Sequence, residues 1–171
     1  MTLEFKLYDG RVRPLALQAD AESCLSACIA DVAADLLGCP SAALEFQKEL
    51  AKAFRPGGRD LKRGWELACK LFPSLAWEYL PMSLDDARSR ASPQSGVVVG
   101  LLNVGGADGH AVRILGGSMP GLPGFIRQIR YVDPFPYADQ RTPVVDVNFQ
   151  EVEARYVGAG GYALVGRPRS P

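Results

Sequence analysis

The hydrophobic pattern of this chain changes period near residue 73, and that change bounds the fold more tightly than any other feature. Before it, apolar residues recur at intervals of three and four. Cys24, Cys28, Val32 and Leu36 form one stripe, closed by Gly38 and Pro40 in the manner of a helix stop. A second stripe starts at Ser41, runs through Leu44, Gln47, Leu50, Ala51 and Phe54, and ends at Pro56-Gly57-Gly58. Leu61, Trp65, Ala68 and Phe72 form a third. After Pro73 the runs become short, β-branched or aromatic, and are separated by Gly, Pro and Asn, which predicts strands over 75–80, 96–104, 111–115, 126–132 and 162–165. Ser83-Leu84-Asp85-Asp86 reads as a capping-box-like helix start with Asp in place of Glu, and Asn148 as the N-cap of a second short helix over 149–155. The connections 105–109 and 116–124 hold no crossover helix, so the strands they join are expected to be antiparallel. The expected architecture is α+β: one domain over 1–171, with a helical lobe over about 18–73, a β-sheet lobe over about 74–166 and a frayed tail over 167–171.

A chain of 171 residues with 47% apolar side chains suffices for one core. Lys+Arg and Asp+Glu both total 19, so there is no bulk basic field of the kind that accompanies nucleic acid or anionic membranes, and no nucleic-acid partner is expected. Lys48, Lys52, Arg55, Arg59, Lys62, Arg63 and Lys70 alternate with Glu45, Glu49, Asp60 and Glu66. Solvated helix faces are the plain reading of this mixture, and a basic docking surface the sharper one. No apolar run reaches the length of a membrane span, and MTLEFKLYDG lacks the apolar centre of a signal peptide, which makes a cytoplasmic location the expectation.

Four Cys and one His narrow the chemistry further. The cysteines stand four, eleven and thirty residues apart, which matches no paired CxxC zinc pattern. Cys28, Cys39 and Cys69 read as small core residues in a reducing cytosol. A single histidine excludes a multi-His metal site, leaving a three-ligand site of Cys24, Cys28 and His110 as the metal alternative. Cys24 falls where the first helix begins, and there unpaired N–H groups and the positive end of the macrodipole favour thiolate. His110 opens a strand after a Gly-rich loop. The next strand delivers Asp133, with Pro134 behind it to stop the strand at the same end of the sheet. A helix-borne thiol, a strand-borne imidazole and a neighbouring carboxylate are what a cysteine nucleophile needs: a proton acceptor and donor for the thiol, and an acid that fixes the imidazole. Gln18, six residues before Cys24, can pair its side-chain amide with the Cys24 backbone N–H as an oxyanion hole.

Together these segments bring a family into view. The run from Gln18 to Cys24, followed by Ala27 and a helix ending at Gly38, resembles the opening of the bacteriocin-processing cysteine peptidases, which cleave double-glycine leaders. Gly109-His110-Ala111-Val112 and Val132-Asp133-Pro134 are similar to that family's His and Asp motifs, in the same order. Asn148 to Val152, with Tyr156-Val157-Gly158 and Tyr162-Ala163-Leu164, is similar to its final helix and strand. The resemblance implies a papain-like two-lobed fold and a Cys24, His110, Asp133 and Gln18 site acting on a peptide or protein substrate without a cofactor. Leu25 stands where the family typically has Gly, a departure that bears on leader specificity, and no GxxxxGK[ST] nucleotide motif is present. A deamidase or acyltransferase would share the acyl-enzyme step. A peptide-binding module that has kept the fold without turnover is the reading from a different class.

Overall fold

The structure is a computed structural model that describes residues 2–6, 12–17, 23–54, 60–102, 109–116, 127–135 and 143–170, by backbone alone for 2–6 and 12–14. The chain opens with a hairpin of β1 (Thr2–Lys6) and β2 (Val12–Ala16). Three helices follow: α1 (Cys24–Leu36), α2 (Ala43–Phe54), entered through a 3-10 turn at Pro40–Ala42, and α3 (Leu61–Leu71). The remainder is β3 (Leu75–Pro81), α4 (Leu84–Arg90), β4 (Gly96–Leu102), β5 (Gly109–Gly116), β6 (Gln128–Val132), β7 (Val144–Asn148), α5 (Phe149–Gly158) and β8 (Tyr162–Pro168). Strands β3 to β8 form a six-stranded sheet in the order β3-β8-β4-β5-β6-β7, with every adjacent pair antiparallel. The expected α+β architecture is the observed one.

The start and stop signals act as their chemistry dictates. Gly38 takes φ +70 just past α1, the left-handed position that ends a helix without a side-chain clash. Ser83 Oγ accepts from Asp86 N at 3.0 Å, and Asn148 Oδ1 accepts from Gln150 N at 2.9 Å, as the two capping signals require.

The period-two alternation of the strands then divides the core between the two sheet faces. Val98 of β4 and Leu164 of β8 join Leu25, Ile29, Leu50 and Phe54 under α1 and α2, while Val97, Val99, Leu101, Ala163 and Val165 meet Leu84, Val152 and Tyr156 under α4 and α5. Because the sheet is covered on both faces, β4 reads as a continuous apolar run rather than an alternating one.

Several expectations are corrected. The β1–β2 hairpin and β7 are additional strands. Arg167 and Pro168 belong to β8 and pair with Ala76 and Leu75, so the tail begins later than residue 167. Cys28 is buried as expected, but Cys39 is half-buried and Cys69 exposed, because each lies toward the solvent side of its segment. Lys48 pairs with Glu45, and Lys52 with Glu49, each at 2.8 Å on the exposed side of α2, in keeping with solvated faces. The loop over 116–124 lies beyond Gly116 outside the described residues, as do Arg55 and Arg59.

Candidate active site

Cys24 is the first residue of α1, and β5 carries His110 past it. Two sulfur contacts fix this approach. The Ala111 N–H donates to Cys24 Sγ at 3.5 Å, and one helical turn further on the Cys28 thiol donates to the Ala111 carbonyl at 3.5 Å. A single residue of β5, Ala111, is thus held between two cysteines of α1. His110 Nε2 donates to Asp133 Oδ1 at 2.6 Å, which leaves Nδ1 as the ring nitrogen for the thiol. Asp133 follows β6 directly. Its backbone N–H donates to Pro143 O at 2.8 Å, and its Oδ1 also accepts from Phe135 N at 3.0 Å, so the carboxylate is held from both sides of Pro134.

The electrostatics follow from this contact set. Burial alone pushes the Cys24 thiol up; the hydrogen bond from His110, the Ala111 N–H, the His110 charge and the Leu25 N–H together outweigh it and bring the thiol below its ordinary value. Burial alone would likewise drag His110 down, but hydrogen bonds to Asp133 and Cys24, and their charges, hold it up to about 9. Cys28 behaves in the opposite way: full burial, then the charges of Cys24, Asp31 and Asp133, raise its thiol well above the usual range. Two thiols one turn apart therefore differ because only one meets an imidazole. This arrangement favours a thiolate–imidazolium pair beside a carboxylate, which is chemically a nucleophile together with its proton donor.

The sequence-predicted residues Cys24, His110 and Asp133 thus come together. Gln18 lies outside the described residues. Among the described residues no group of three or more His, Cys, Asp or Glu side chains is placed to hold a metal ion.

A cleft of about 280 Å³ opens beside the pair, lined by Cys24, Leu25 and His110 together with residues to which the sequence assigns no role in the site, chiefly Asp60, Tyr79, Gly100 and Tyr162. By sequence Asp60 groups with the solvated charges. It is in fact the N-cap of α3, its Oδ1 accepting from Lys62 N at 2.9 Å and Arg63 N at 3.4 Å. An Asp directly before the third stripe was the available signal. Leu25, buried in the α1 core, packs against α3 at Gly64, where an added Cβ would meet its side chain at 3.0 Å. A bulky residue after Cys24 is therefore part of the α1–α3 packing.

No protein-family model matches the sequence, and no curated protein matches it. Solved structures do. The chain is similar to the peptidase domain of Streptococcus ComA, a bi-functional ABC transporter involved in a quorum-sensing pathway, with 18% identity, 91% of this chain and 98% of that one covered, and a TM-score of 0.63. It is also similar to a C39-like peptidase from Bacillus anthracis, with 15% identity, 92% and 96% covered, and a TM-score of 0.62. The fold is that of a C39-like peptidase. The papain-like expectation is met over most of the chain. Within this C39-like fold the chemistry rests on the side chains described above. No described helix is long and apolar enough to cross a membrane.

Proposed function

We propose that the protein is a cysteine peptidase, a single papain-like unit over 1–171 that cleaves a peptide or protein substrate through a thioester. The observation that carries this reading is the contact chain Cys24, His110, Asp133, in which a lowered thiol meets a raised imidazole whose other nitrogen is bound to a carboxylate at 2.6 Å.

The Cys24 thiolate attacks the scissile carbonyl carbon, and the carbonyl electrons move onto oxygen. The Cys24 backbone N–H, with Gln18 as the second donor implied by the family resemblance, receives that oxyanion. The oxyanion collapses, the C–N bond breaks, and the His110 imidazolium gives its proton to the departing amine. Neutral His110 then takes a proton from water as the water attacks the thioester, which releases the acid and restores the thiolate–imidazolium pair. Asp133 holds the ring so that Nδ1 faces sulfur throughout. Four free cysteines, one of them a working thiolate, suit a reducing compartment such as the cytoplasm.

The test is labelling by a peptidyl electrophile, with the modified residue located by mass spectrometry. Cys24 is expected to react ahead of Cys28, Cys39 and Cys69, and Cys24→Ala to abolish both labelling and peptide cleavage. Preferential labelling of another cysteine, or cleavage that survives Cys24→Ala, overturns the reading.

A further inference from the structure

The cleft walls carry a charge pattern that the reaction itself does not use. The thiolate and imidazolium of Cys24 and His110 cancel, and among the described residues that line the cleft the remaining charged one is Asp60. Among the described residues Asp60 forms no ion pair. Its Oδ1 accepts from the first amides of α3, and its negative charge remains. Arg63, one turn along, is turned away, with Nη2 donating to Ala53 O at 3.3 Å.

Beside Asp60 stands an aromatic stack. Tyr79 of β3 stacks with Trp65 of α3, at 6.3 Å and 27° between planes, and with Tyr162 of β8, at 4.8 Å and 19°. The Trp65 indole is fixed in turn by donating to Trp77 O at 3.1 Å. Tyr162 lines the cleft, is 39% exposed and offers a ring surface to a ligand. Burial first, then Tyr162 and then the Asp60 charge push the Tyr79 phenol up. Gly100 and Gly109 line the cleft without side chains, which leaves the space between them and the tyrosines open.

We propose that this cleft selects a substrate side chain ending in a cation, that of lysine or arginine, with its aliphatic stem along Tyr162 and its charge received by Asp60 and the Tyr79 hydroxyl. The proposal rests on the cysteine-peptidase reading and names the substrate class for the same site. An apolar stem with a charged tip matches an aromatic wall that ends in a carboxylate, and the cation gains from both the ring and the acid. A carboxylate-bearing side chain would instead meet Asp60 as a like charge.

The test uses peptidyl electrophiles on an alanine scaffold, with lysine, norleucine or glutamate at the first or the second residue before the reactive group, and reads the rate of Cys24 labelling. At one of the two positions lysine is expected to exceed norleucine about tenfold and glutamate to be slowest. Asp60→Asn keeps a helix-capping side chain, and is expected to bring the lysine-to-norleucine ratio to about one. In the unaltered protein, raising salt from about 0.05 M to about 0.5 M is expected to narrow the ratio, because the pair is partly solvated. Equal rates for lysine and norleucine at both positions, or a ratio that persists in Asp60→Asn and at high salt, overturns the proposal while leaving the peptidase reading intact. If every probe fails to label Cys24, the peptidase reading falls and the proposal with it.

Discussion

At one end of the seam between α1 and β5, Cys24 and His110 meet Asp133 beside a cleft; at the other, Asp31 and Asp35 of α1 meet Arg113 of β5 inside the core. Each end has acids and a base, drawn largely from the same two elements, yet they settle differently. At the cleft, hydrogen bonds and opposite charges overcome burial, so the thiol falls and His110 rises to about 9. In the core, Arg113 Nη2 donates to Asp35 Oδ2 at 2.7 Å, with both side chains only 6% exposed. Asp31 is left with the Ala16 N–H at 2.8 Å, and burial outweighs that bond and the Arg113 charge, with Asp35 adding repulsion, to push its carboxyl up to about 8. The core end is structural: it ties β2 and β5 to α1. What separates a reactive cluster from a structural one here is whether each charge has its own partner at the edge of solvent.

The contrast can be broken most severely at the cleft. His110→Ala should cut peptide kcat/KM about 10³- to 10⁴-fold, far beyond any fall in the folded fraction read by urea titration at the same pH, because each turnover depends on the proton that the imidazole moves. Arg113→Ala should do the reverse. It removes the cation from a buried ion pair and should lower unfolding free energy by about 3–5 kcal/mol, read by urea titration, with residual activity tracking the folded fraction.

A subtler break separates the acids of α1. The raised Asp31 value means that the folded state binds the proton more tightly than the unfolded one, so this group's contribution to stability falls as pH rises from about 4 through about 8. Asp31→Asn keeps an oxygen for the Ala16 N–H and carries no charge. It should flatten that slope, and at pH 8 should exceed the parent by on the order of a few kcal/mol in urea unfolding.

The smallest effect sharpens the cleft end. Asp133→Asn should lower kcat/KM roughly tenfold or more and shift the alkaline limb of the pH–rate profile downward from about 9, because the hydrogen bond and charge that hold the imidazolium are weakened. His110 also has a stability signature of opposite origin to that of Asp31. Its raised value contributes stability that is complete below about 6.5 and lost as pH rises through about 9.

The sequence was most legible where local chemistry and tertiary packing agree. The stripe through Cys24, Cys28 and Val32 is a buried helix face, and the Ser83 and Asn148 caps are made as expected. Cys24, His110 and Asp133 were legible because the end of an element positions each of them. β7 was not: its residues Val144–Asn148 form an edge strand, half-buried or exposed throughout, so no buried face imposed an alternation on them. Nor was the core ionic cluster, although it left a trace. Asp31 and Asp35 interrupt an apolar helix at a spacing of four, and Arg113 interrupts the apolar run Ala111 to Leu115. The cleft wall could not be read at all, since Tyr79 and Tyr162 lie far apart in sequence and meet only through the β3–β8 register.

That register also has a consequence for synthesis. β3 joins the sheet only through β8, and pairs Leu75 with Pro168 across nearly the whole β half of the chain. A nascent polypeptide holds Cys24, His110 and Asp133 well before it holds residues 162–168, so the thiol can be made long before the wall that would seat a substrate beside it. Pairings of such separation close late and slowly. The topology therefore seats the Tyr79–Tyr162 wall beside the thiol only after residues 162–168 have been added to the chain.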